Sequence, residues 1–216
     1  MAHLKRQEIS RKWPLQRKGT TFVVKPGSND EKGIPLLIVL RDILKVVQNR
    51  KEVKRAIHSE TILLNNRLVK EDRTAMLLFD TLFLVPSKKA YRLELSKQGK
   101  FEMVEIKENE INTKVAKIVD KKTLRGKKVQ INLSDGRNFL SDIKCNVGDS
   151  VLVNLKDKKI EKCLPLKEKS KVLAFEGKYA GAEGIIDKIK VDRKMAKLKI
   201  DKEDVNILIK QLMVLE

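Results

Sequence analysis

Two cysteines, Cys145 and Cys163, and two histidines, His3 and His58, are the soft-ligand side chains of this 216-residue chain. They are too scattered, with no C-x-x-C pair, to supply the four ligands of a structural zinc, so no metal is expected and the thiols read as structural. No G-x-G-x-x-G turn and no P-loop occurs, and no cofactor is expected. The second half carries Asp and Glu but no carboxylate, His and nucleophile set in a recognisable catalytic pattern. What the chain has in excess is cations: 48 Lys and Arg against 29 Asp and Glu, a net charge of +19. Such a field attracts polyanions, and the chemistry it points to is neutralisation of phosphates, with nucleic acid the leading partner.

The cations fall into groups. Lys5, Arg6, Arg11, Lys12, Arg17 and Lys18 face only Glu8 in the first twenty residues, interrupted by Trp13-Pro14-Leu15. This predicts a basic arm, unfolded until it meets a polyanion because it has little apolar surface to offset its ordering entropy. Trp13 either stacks on an unpaired base or packs inside the protein. A second group, Arg50, Lys51, Lys54 and Arg55, lies at the start of a helix, where backbone N–H groups and the helix dipole favour phosphate. Arg41, Lys45, Lys178 and Arg193 are weaker candidates for the same role.

Elements must position these groups. Charged residues make up 36% and aromatics 4%, which favours small domains over one large core. The longest apolar run, residues 34–40, is too short to span a bilayer, and no apolar stretch follows the basic start as in a secretory signal, so a cytoplasmic protein without membrane contact is expected. After the turn-rich linker Lys25-Pro26-Gly27-Ser28-Asn29-Asp30, residues Leu36, Leu40, Ile43, Leu44 and Val47 recur at helical spacing opposite Arg41, Asp42, Lys45 and Gln48, predicting an amphipathic helix. Asn49 with Glu52 three residues on caps a second helix, whose Val53, Ala56 and Ile57 face inward. Ile62-Leu63-Leu64, Asn65-Asn66 and Arg67-Leu68-Val69 predict a hairpin, since Asn tolerates the left-handed conformation of tight turns; residues 77–85 add strand. Beyond residue 90, strands are expected at 91–95, 101–106, 114–119, 129–133, 151–154 and 159–164. Turns are expected at Ser134-Asp135-Gly136-Arg137 and Leu155-Lys156-Asp157-Lys158, with a corner at Val147-Gly148-Asp149-Ser150. Alternation resumes through the last 46 residues around a Gly-rich turn, as in a small five-stranded barrel.

The run Asn49-Arg50-x-x-Val53-Lys54-Arg55-Ala56-Ile57, ending in Ile62-x-Leu64-Asn65-Asn66, resembles the RNA-binding fold shared by the fourth small-subunit ribosomal protein and several RNA-modifying enzymes. Asn49-Arg50 stand at that family's Ser-Arg pair, Lys54 at its later basic position and Leu64-Asn65-Asn66 at its Val-Asn-Gly hairpin; Asn49, Asn66 and Glu60 depart from its Ser, Gly and Gly. Ala174-Phe175-Glu176-Gly177-Lys178-Tyr179-Ala180-Gly181-Ala182-Glu183-Gly184-Ile185-Ile186 resembles a KOW motif, part of an SH3-like barrel in ribosomal proteins and elongation factors. Together with His3-Leu4-Lys5-Arg6, Trp13, Ile34-Pro35-Leu36-Leu37 and Val147-Gly148-Asp149, these pieces resemble, over nearly the whole chain, the "four-e" type small-subunit ribosomal proteins of archaea and eukaryotes. The short C-terminus suggests the archaeal type.

The resemblance implies an α+β multi-domain protein: a basic N-terminal arm and linker over 1–35, a two-helix and hairpin RNA-binding unit over 36–90, a central β-rich domain over 91–168, and an SH3-like KOW barrel over 169–216. It implies a non-enzymatic constituent of the small ribosomal subunit, with small-subunit rRNA and neighbouring ribosomal proteins as partners and no small-molecule substrate. The alternatives are a transient KOW-containing transcription or translation factor, distinguished by its retention in subunits, and an RNA-modifying enzyme, which the absent catalytic signatures disfavour.

Overall fold

The apolar run at residues 34–40 becomes the centre of a core. In the computed structural model, which describes residues 4–29, 31–126, 128–141, 143–190, 193–200 and 203–215, Leu36–Ile38 forms a short helix, α1, that continues as a π-helical turn over Val39–Ile43. Met1, Ala2, His3, Asp30 and Glu216 lie outside the described residues. Residues Leu36, Leu37, Ile38, Val39 and Leu40 are all buried, so this helix is apolar all round rather than amphipathic, and its polar residues begin only at Arg41. Its first N–H groups have no polar cap. Those of Leu36 and Leu37 donate to the carbonyls of Thr74 and Asp72 instead. Lys45, at φ +54, turns the chain off the helix before Val47.

The chain divides into two compact units, the first comprising residues 1–95 and 100–112. Its core gathers Trp13, the α1 residues, Val53, Ile62, Met76, Leu82 and Leu93. An antiparallel sheet runs Arg67–Leu68, Ile62–Leu64, Thr81–Leu84, Lys89–Leu95, Phe101–Ile106 in spatial order. The strand Lys89–Leu95 pairs with Thr81–Leu84, so the division expected at residue 90 falls inside this sheet, and the two strands expected to open a central domain belong to the first unit. At the hairpin tip Asn65 and Asn66 both have positive φ (51° and 60°), the geometry a two-residue primed turn requires. Asn65 also donates through Nδ2 to Asp80 Oδ1 (2.8 Å) and accepts at Oδ1 from the N–H of Thr81 (3.1 Å).

The basic arm is folded, contrary to its composition. Leu4–Lys5 pairs with Phe22–Val23, and Leu4, Ile9, Leu15, Val23 and Val24 pack on the core around Trp13. These apolar residues recur at no helical or strand period, which is why the sequence hides them, yet together they bury enough to order the segment.

The second unit comprises residues 96–99 and 113–216. Its first antiparallel sheet runs Asn138–Leu140, Val129–Leu133, Thr113–Thr123, Ser150–Asn154, Lys159–Leu164; its second runs Glu203–Leu208, Met195–Ile200, Glu183–Lys190, Lys171–Ala174, Leu212–Val214. Each has its own apolar cluster, Ile118, Ile131 and Val151 in the first and Val172, Ile186 and Leu198 in the second. Gly184 has no room for a side chain, since a Cβ would stand 2.7 Å from the Lys199 carbonyl. Polar bonds tie the sheets: Lys117 Nζ donates to the carbonyls of Ile209 and Leu212, and Ser150 Oγ accepts from the N–H of Val214 (2.8 Å); beside Ser150, Asp149 accepts from the N–H groups of Asn146 and Leu166 in the adjoining loops (2.8 and 2.9 Å). No helix among the described residues is long and apolar enough to cross a membrane.

Candidate nucleic-acid interface

The second helix, α2 (Arg50–His58), is built by its cap and its two faces. Asn49 Oδ1 accepts from the N–H groups of Lys51 (3.1 Å) and Glu52 (3.2 Å), while Glu52 accepts from the Gln48 N–H and the Asn49 amide. The Asn49 amide thus occupies the N–H groups that the sequence offered to a phosphate. At the other end the N–H of Glu60 donates to the Ile57 carbonyl and that of Thr61 to the Ala56 carbonyl, a Schellman stop with Glu60 left-handed at φ +54. Val53 and Ile57 are buried. Lys51, Lys54, Arg55 and His58 follow at i, i+3, i+4 and i+7, so they share one exposed face, and none has an ion-pair partner among the described residues. Arg50 differs: its Nε donates to Asp72 Oδ2 (2.5 Å), a nearly buried carboxylate, although 49% of the Arg50 side chain stays exposed. The positive charge of this helix therefore resides in the exposed side chains Lys51, Lys54 and Arg55, and His58 shares their face, a residue the sequence reading passed over.

In the N-terminal segment the predicted contacts separate. Trp13 is only 4% exposed and its Nε1 donates to the Gly33 carbonyl (3.2 Å), so it is a core residue with no free face for stacking on a base. Arg6 spreads its guanidinium over the Thr20 carbonyl (2.7 Å), the Gln16 carbonyl (2.8 Å) and Thr20 Oγ1 (2.8 Å), which makes it a clamp on its own loop. Lys12 is half-buried and its carbonyl accepts from the Phe101 N–H (2.7 Å). Lys5, Arg11, Arg17 and Lys18 are exposed. Arg6, Arg11 and Arg17 come together with Lys100 around a cavity of 640 Å³. Arg41 lies in a fork with Asp42 (2.9 Å), whereas Lys45 is exposed.

The second unit shows which cations are structural. Lys114 is buried against Asp135 (2.9 Å); burial alone would raise the Asp135 carboxyl, but Lys114 and Arg137 hold it below the ordinary range. Lys117, buried against backbone carbonyls with its ammonium 5.7 Å from the Phe175 ring centre, has its pKa lowered from 10.5 to about 8 by burial, only partly opposed by Glu176. Lys178 lies exposed over the Tyr179 ring (5.4 Å), and Arg193 is exposed. The hairpin between Thr113–Thr123 and Val129–Leu133 carries exposed Lys122, Arg125 and Lys128, a group missed because these cations look like ordinary strand-end polarity. Cys145 and Cys163 lie side by side: burial and the Cys145 neighbour push the Cys163 thiol up to about 12, as a packed, unreactive thiol should be. No group of three or more His, Cys, Asp or Glu among the described residues is arranged to hold a metal.

Similarity to known proteins agrees with this basic, β-rich architecture. The family described as Ribosomal family S4e matches residues 87–160. Small ribosomal subunit protein eS4 of Methanocella arvoryzae is 36% identical over 197 residues, covering 90% of this chain and 83% of that protein. Its counterpart from Haloarcula marismortui is 33% identical over 193 residues, covering 88% and 82%. The crystal structure of 30S ribosomal protein S4e from Thermoplasma acidophilum superposes with a TM-score of 0.73 at 22% identity, over 86% of this chain and 95% of that one, a likeness of fold. With more than a third of its residues identical over nine-tenths of its length, this chain belongs to the S4e family of small ribosomal subunit proteins.

Proposed function

We propose that the chain is a structural constituent of the small ribosomal subunit that binds rRNA by neutralising its phosphate backbone and reading the shape of folded RNA. Membership of the S4e family carries the ribosomal role, which is non-enzymatic and places the protein in the cytoplasm within the small subunit. The exposed stripe Lys51, Lys54 and Arg55, with His58 beside them on the same face, supports the mode of binding, because exposed cations gathered on one face can reach a phosphate backbone. Arg50, Lys5, Lys12, Arg11, Arg17, Lys18, Lys45, Lys178 and Arg193 are the further contacts, joined by Lys122, Arg125 and Lys128. Residues 171–214 are read as an SH3-like KOW module, an assignment supported by the five antiparallel strands and the tight backbone approach at Gly184. Neighbouring small-subunit proteins are the protein partners.

The test is to tag the chain and sediment a cell lysate through a high-salt sucrose gradient. Retention in small subunits at one copy each is expected. Loss to the top fractions would overturn the structural role in favour of a transient factor.

A further inference from the structure

The folded N-terminal segment borders a solvent-open cavity of 640 Å³, within the roughly 300–1,000 Å³ that bound small ligands occupy. Its frame is fixed from several directions. The Leu4–Lys5 and Phe22–Val23 pairing closes the base of the loop, and the Arg6 clamp holds residues 16–20. The Trp13 Nε1 bond to Gly33 anchors one wall, and the Lys12 carbonyl, accepting from Phe101, brings Lys100 to the rim. A cavity held this way is formed before any ligand arrives, which lowers the entropy lost on binding.

Its lining divides by chemistry. Ile9 and Leu15, backed by the buried Trp13, supply an apolar wall, Arg11, Arg17 and Lys100 supply positive charge, and no lining residue among the described residues is acidic, although the chain has 29 acidic residues. Arg11 and Arg17 are exposed and have no carboxylate partner among the described residues. Arg6, its guanidinium committed to Thr20 and Gln16, is frame rather than ligand group. A site for phosphate alone has no use for an apolar wall, and an apolar ligand has no use for three cations. An aromatic ring joined to a phosphate satisfies both, and single-stranded RNA segments offer such units when their bases are splayed out.

We propose that this cavity takes one unpaired nucleotide of the RNA, its base against Ile9 and Leu15 and its phosphate among Arg11, Arg17 and Lys100. The inference rests on the rRNA-binding reading and narrows it: the segment holds a single extruded nucleotide in a preformed pocket, instead of coating a backbone as a loose arm.

Trp13 is the only tryptophan of the chain, so its emission reports on this cavity. The full chain is titrated with an adenine trinucleotide RNA, with adenosine 5′-monophosphate and with inorganic phosphate alone, while binding to small-subunit rRNA is measured separately by filter retention. The expected result is a saturable change of Trp13 emission with the trinucleotide, weakened about tenfold or more in Arg17→Ala and in Arg11→Ala by loss of a charge-assisted bond. Lys54→Ala, on α2, is expected to leave that change intact while reducing rRNA retention. Unchanged emission with intact rRNA retention overturns the pocket and leaves the ribosomal reading standing. An equal change with phosphate alone, or a change with the mononucleotide and none with the trinucleotide, also overturns it, in favour of an anion site or a free-nucleotide site. Loss of rRNA retention by the unmodified chain overturns the underlying reading instead.

Discussion

Single residues in this protein hold conformations and charges that their types resist. Glu60 ends α2 in the left-handed region, where the related RNA-binding fold has Gly, and a side chain there costs roughly 1–2 kcal/mol. Glu60→Gly relieves that cost but adds freedom to the unfolded chain, so a net gain of about 0.5–1 kcal/mol is expected as a higher urea midpoint. Lys117 is the opposite case, a charge buried where burial lowers its pKa from 10.5 to about 8. Between those values the unfolded chain binds the proton more tightly than the folded one, so Lys117 penalises folding below pH 8 and the penalty fades as pH rises toward 10.5. Cys163, pushed up to about 12, works the other way: above the ordinary thiol pKa of 9.0 the unfolded thiol ionises first and stability falls. Comparing urea midpoints of the wild type and Lys117→Met from pH 7 to 10.5 isolates the lysine, and the wild type is expected to gain on the variant across that window. A difference that stays flat would mean Lys117 is not buried as a cation. The left-handed turn at Asn65-Asn66 was legible because Asn tolerates positive φ; Glu60 and Lys45 were not, since neither type signals it.

At the scale of elements, periodicity carried most of the information. Expected and observed strands coincide at Phe101–Ile106, Val129–Leu133 and Lys159–Leu164, the second of which alternates apolar and polar residues throughout. Alternation says which face of a strand is buried but not which strand lies beside it, so the pairing of Lys171–Ala174 with Leu212–Val214 was illegible. α2 was legible from its cap and its Val53 and Ile57 face, and the same periodicity, extended one turn, would have added His58 to the basic stripe. This helix also offers a separation of binding from folding. Lys51, Lys54 and Arg55 are exposed and have no ion-pair partner among the described residues, so changing all three to Gln should move stability by no more than about 0.5 kcal/mol per site. If each neutralises one phosphate, the slope of log K against log salt for small-subunit rRNA becomes shallower by roughly 2–3. An unchanged slope would remove α2 from the interface.

For the whole molecule, the count of 48 Lys and Arg overstates how many contacts are available. Lys114 with Asp135, Arg41 with Asp42, Lys171 with Glu183 (2.7 Å) and Lys197 with Asp204 (2.7 Å) are ion pairs inside the fold, and Arg6 and Lys117 serve backbone carbonyls. The sequence counts these cations equally with Lys54 or Arg17, because pairing across a sheet is a product of topology that composition does not encode. For the same reason it read the first segment as a separate arm and divided the chain at residue 90, inside a sheet. The cations proposed above as contacts are therefore fewer than that count, and if 6–10 of them meet phosphates, affinity falls by roughly 10³–10⁵ between 50 and 200 mM salt. Filter binding of the full chain to small-subunit rRNA across a KCl series is expected to show a linear log-log plot of that steepness. A slope near zero would mean that recognition rests on uncharged contacts, and a far steeper one that the internal ion pairs open on binding and lend their cations to the RNA.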